Sequence, residues 1–83
     1  MIIPNYTKVT EMLEEGWSLS DIPSGNAKAL AALYRATESW MMKSGKAYVV
    51  GETERASWYE KRQRLQDMLK EEIVALWMSE QDR

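Results

Sequence analysis

"TERASWYEKRQRLQDMLKEEIVALWMSEQ", residues 53–81, contains neither Pro nor Gly. Nothing in it breaks a helix, and Thr53 stands where an N-cap belongs. At about 1.5 Å per residue, such a helix is about 43 Å long. A compact chain of 83 residues has a radius of gyration of only about 12 Å. The helix therefore overreaches its own domain. This one segment sets the fold class as mainly α: a single small domain over 1–83, three helices, the last one long.

The rest of the chain supplies the other two helices. Asn5 precedes an apolar stripe of Tyr6, Val9, Met12 and Leu13, and Gly16 provides a stop, so a first helix is expected over about 5–15. A second is expected over about 26–44, with Ala27, Leu30, Leu33, Tyr34, Trp40 and Met41 on its apolar side and Gly45 ending it. The alanines at 27, 29, 31, 32 and 36 favour helix and allow a neighbour to approach closely. Trp17, Tyr34 and Trp40 are expected in the core. "KAYVV", residues 46–50, is β-branched and bounded by Gly45 and Gly51, which reads as a short strand. Its available partner is Met1-Ile2-Ile3, giving a minor two-stranded pairing; an extended connector is the competing reading.

Composition excludes several kinds of chemistry. The chain has no Cys and no His, so there is no disulfide framework, no thiolate metal site and no imidazole base. Adjacent carboxylates at Glu14-Glu15 and Glu71-Glu72 point about 100° apart on a helix and do not converge. No Gly-rich phosphate loop or nucleophile elbow is present. The expectation is a non-enzymatic protein without cofactor or metal. No apolar run approaches the roughly 20 residues that span a bilayer, and the lack of Cys fits a reducing cytoplasm.

The net charge of −2 is unevenly spread. Residues 43–64 carry six basic and three acidic side chains, while residues 65–83 carry two and five. Within the basic part, Lys43, Lys46, Arg55, Lys61 and Arg64 are the candidate nucleic-acid contacts, with Trp58 and Tyr59 available to stack on bases. Glu54 and Glu60 sit among them, and Glu60 with Arg64 forms an i,i+4 pair in the favourable order, as on a solvated helix face.

"EEGWSLSDI", residues 14–22, resembles the front of a helix-turn-helix, and Ser18 with Asp21 resembles a capping box. The resemblance implies a degenerate DNA-binding unit over 12–44. Against it, Pro23-Ser24-Gly25 would cut the middle helix to one turn, and the following helix opens without Asn, Gln or Arg for base edges. A capped turn is the preferred reading.

The long helix also holds a heptad-like seam: Trp58, Arg62, Leu65, Leu69, Glu72 and Leu76. Laid antiparallel on a second copy about Asp67, the seam places Arg62 against Glu72 and Trp58 against Leu76. An antiparallel homodimer is one expectation; packing of the same seam on the second helix of the same chain is the other. Val74, Trp77 and Met78 are then left for a protein partner. Four Trp, four Tyr and six Met in 83 residues are types enriched at interface cores. The function expected is a small helical interaction protein (adaptor, inhibitor or assembly factor) of the size that phages and mobile elements encode. A small DNA-binding regulator is the alternative.

Overall fold

The computed structural model describes residues 4–81 and contains three α-helices: α1 (Pro4–Glu15), α2 (Ala27–Lys43) and α3 (Glu52–Gln81). Two single 3₁₀ turns, Leu19–Asp21 and Lys46–Tyr48, lie in the connectors. The chain measures 50 × 29 × 19 Å. The long dimension is that of α3, whose 30 residues give about 45 Å. The mainly α, three-helix architecture expected from sequence is the one found.

The helix ends follow from local chemistry. Asn26 caps α2, its Oδ1 accepting the Ala29 N–H at 3.0 Å. Gly16, at φ +97°, closes α1 by donating to the Met12 carbonyl at 3.0 Å, a conformation costly for any residue with a Cβ. At the start of α3 the cap lies earlier than expected. The Gly51 carbonyl accepts the Arg55 N–H at 2.9 Å, so Thr53 is already inside the helix. Asn5 likewise falls within the first turn of α1, which starts at Pro4, a residue suited to a first helical position.

The strand expected at 46–50 does not form. After Gly45 at φ +82°, Tyr48 N–H bonds to the Gly45 carbonyl at 3.1 Å and Val49 N–H to Lys46 at 3.4 Å. Short-range bonds thus satisfy this backbone, and among the described residues no strand is present to pair with it. Met1–Ile3, the proposed partner, lies outside the described residues.

The core takes Val9, Met12 and Leu13 from α1, Ile22 from the connector, Leu30, Leu33, Trp40 and Met41 from α2, and Leu65 and Leu69 from α3. Trp40 is fully buried. Its indole N–H donates to Thr10 Oγ1 on α1 at 2.9 Å, and its ring lies 5.6 Å from that of Trp58 on α3, tilted by 52°. Trp17 and Tyr34 pack on the core half-buried. One buried polar pair accompanies these contacts. Gln66 Nε2 donates to Thr37 Oγ1 at 3.0 Å, and that hydroxyl donates to the Tyr34 carbonyl. With its partners present the pair is cheap to bury, and it fixes how far α3 slides along α2.

Cross-contacts between α2 and α3 (Thr37 with Gln66, Trp40 with Trp58, Tyr34 with Lys70) define an antiparallel hairpin. The C-terminal end of α1 sits at the closed end of that hairpin: Glu14 pairs with Lys46 at 3.7 Å, and Gly16 and Trp17 share a cleft with Lys61 and Arg64. The connector must therefore return roughly 20 Å to the start of α2, anchored midway by buried Ile22.

Trp40→Ala removes a ring that touches both other helices. Its cost is expected to be about 3–5 kcal/mol, seen as a large fall in melting temperature. An unchanged melt would contradict the hub described here.

Candidate interaction surface

The seam of α3 identified in sequence turns inward. Leu65 and Leu69 are fully buried, and Trp58 and Leu76 pack against the same core. Arg62 reaches the Glu38 carbonyl of α2 at 3.4 Å and lies 5.3 Å from the Tyr59 ring. Glu72 is half-buried. Of the two expectations, the structure shows packing within the chain for Trp58, Arg62, Leu65, Leu69 and Leu76. The centre of the seam is thereby occupied, because a second copy could reach Leu65 and Leu69 only by displacing α2.

Further along α3 the pattern changes. Ile73 and Leu76 still pack on the core, but Val74, Trp77 and Met78 are 52%, 61% and 58% exposed. The cause is direction: a period of about 100° per residue turns these positions away from the side on which Leu65 and Leu69 meet the core. Lys70, Glu71, Val74, Ala75 and Met78 line a shallow groove along this face. Three large apolar side chains within five positions form a contiguous exposed patch, the kind of feature that marks an interaction site.

The candidate nucleic-acid cations are mostly engaged within the chain. Lys46 pairs with Glu14 and lies 4.6 Å from the Trp58 ring centroid, and Lys61 lies 4.4 Å from the same ring. Arg55 donates to the Val49 carbonyl at 2.7 Å, tying the 46–51 turn to α3. Arg64 pairs with Glu60 at 3.6 Å. Lys43 is exposed at the end of α2. Trp58 is thus enclosed by Trp40 and two ammonium groups and offers no free face for a base.

In the helix-turn-helix-like stretch, Asp21 accepts the Ser18 N–H at 2.9 Å, forming the expected capping pair. The middle element is a single 3₁₀ turn, and the connector from Gly16 to Asn26 is too long for the 3–4-residue turn of that motif. Residues 12–44 therefore lack its geometry.

Tyr59, named in sequence as free to stack, is 43% exposed, and some exposed apolar residues escaped the sequence reading: Met42, Tyr48 and Val50 near the 44–51 turn, Val50 at 94%. The signal for Val50 lay in its place before Gly51, in a turn too short to fold back on the core. Among the described residues, no group of three or more His, Cys, Asp or Glu is placed to hold a metal ion, and no helix is long and apolar enough to cross a membrane. No protein-family model, curated protein or solved structure matches the chain.

Substitutions should separate surface from core. Val74→Asp and Met78→Asp are expected to change stability by no more than about 0.5 kcal/mol, the usual range for surface sites. Leu69→Ala, one turn or two earlier, should cost about 2–5 kcal/mol. Thermal melts of the three variants check the division; a large loss with either Asp variant would place that residue in the core.

Proposed function

We propose that this chain is a small non-enzymatic interaction module that binds another protein through the exposed end of α3. The carrying observation is the patch of Val74, Trp77 and Met78, left open on a helix whose adjacent Ile73 and Leu76 are packed. Trp and Met suit such a role: one is a large rigid anchor, the other adapts to an irregular partner surface. A single helix edge bearing apolar residues at i, i+3 and i+4 fits the helix-in-groove mode of recognition. The absence of Cys and His removes the usual nucleophilic and acid–base machinery and agrees with action by occupancy, as an adaptor, inhibitor or assembly factor. Absent Cys also suits a reducing cytoplasm.

The test is retention of protein, either a host component or a second copy, by the immobilised wild type and by a Val74→Asp/Met78→Asp variant of unchanged melting temperature. Loss of a specific bound protein in the variant is expected. Equal recovery by both, or recovery by neither, overturns the proposal. Retention of duplex DNA that falls steeply as salt rises would assign the chain to nucleic acid instead.

A further inference from the structure

We infer that the partner surface for the end of α3 is basic: an apolar groove on another protein whose rim carries Lys or Arg side chains. The inference rests on the proposed interaction role and names the chemistry of its partner. With Leu65 and Leu69 directed into the core, a period of about 100° per residue puts Asp67, Glu71, Val74 and Met78 together on the far side. All four are exposed. Along the axis, Glu71 precedes Val74 by about 4.5 Å and Asp67 precedes it by about 10 Å. Both carboxylates thus act on the patch within about one Debye length. Glu80, also exposed, stands just past Met78.

The other charges nearby share this sign or are already engaged. The last turn of α3 carries no basic side chain, and the negative end of the helix dipole lies beside Met78. Lys70 lies 5.7 Å from the Tyr34 ring of α2. Arg64, one turn before Asp67, pairs with Glu60 at 3.6 Å. Asp82 and Arg83 follow in the sequence and cancel in net charge. Trp77, 61% exposed, adds an aromatic face that attracts cations. A patch bordered in this way favours a partner that brings apolar side chains and positive charge together. A second copy offering the same end of α3 meets like charge instead, and the phosphates of nucleic acid are repelled. An interface the size of a helix end is small among specific complexes, so affinity in the micromolar range is expected.

Two labelled helical peptides serve as probes, one of Leu and Lys, the other with the same Leu pattern and Glu for Lys. Anisotropy titrations with the full chain, at about 50 mM salt, should show the Leu/Lys peptide bound more tightly by about tenfold or more. Asp67→Gln/Glu71→Gln should reduce that preference to about threefold or less at an unchanged melting temperature. Glu11→Gln/Glu15→Gln, at exposed sites on α1, makes the same change in net charge and should leave the preference intact. Val74→Gln/Met78→Gln should weaken binding of the Leu/Lys peptide by about tenfold, which separates the patch from diffuse attraction between opposite charges. Equal or tighter binding of the Leu/Glu peptide overturns the inference, as does binding of neither peptide up to about 200 µM. So does a preference that survives Asp67→Gln/Glu71→Gln, one that is lost in the α1 control, or one indifferent to Val74→Gln/Met78→Gln. Sedimentation of the wild type as a dimer that Val74→Gln/Met78→Gln dissociates makes a second copy the occupant and overturns it too. If the peptides fail while Val74 and Met78 still mediate retention of a host protein, the interaction role stands and only the partner's chemistry falls.

Discussion

Trp40 is where the three helices meet. Its ring belongs to α2, its N–H is held by Thr10 of α1, and its neighbour is Trp58 of α3. For a chain of 83 residues without Cys, this concentration matters. Small domains bury a modest fraction of their surface, and the large area of a buried indole offsets much of that deficit. The Gln66–Thr37 bond then fixes the slide of α3 on α2. Once slide and hub are set, the side of α3 that meets α2 is set too, and Val74, Trp77 and Met78 are left on the sides that the core does not cover.

The basic half of α3 shows how a sequence rich in cations and aromatics can serve structure. Lys46 and Lys61 both lie over Trp58, and Arg55 holds the backbone of Val49. Cation–π contacts of this kind let a half-buried Trp keep polar company without a buried unpaired charge. The lysine stems cover apolar surface while their heads stay near water. A basic stretch interleaved with aromatics looks the same in sequence whether it waits for phosphate or wraps its own tryptophan.

Helices and most of their ends were legible in the sequence because their causes are local: Gly16 and Gly45 at stops, Asn26 at a cap, an unbroken run after Thr53. The core stripe of α2 was legible for the same reason, since Leu30, Leu33, Trp40 and Met41 recur at helical spacing. Two things were not. A β-branched pair before Gly51 is compatible with a strand, but the turn that opens at Gly45 and its short-range bonds make Lys46–Tyr48 a 3₁₀ turn. The seam of α3 was visible too, but not what it faces. Knobs of Leu65 and Leu69 fit a helix of the same chain or of another equally well, and that choice depends on where α2 lies. The patch at Val74, Trp77 and Met78 was legible because the apolar residues from Ile73 to Met78 spread around the helix, and a neighbour on one side cannot cover them all.

The end of α3 has a dynamic consequence. The last turn of α3 carries Glu80 and no basic side chain, so a negative charge sits at the negative end of the helix dipole. The last carbonyls of a helix lack partners within it, and among the described residues no core side chain lies beyond Leu76. Within α3 the amide protons of this turn are therefore expected to exchange with the least opening, and those flanking Leu65 and Leu69 with the most. Helix α3 is thus graded from a fixed centre to a loosely held end, and exposed Met78 rides on the turn that opens first.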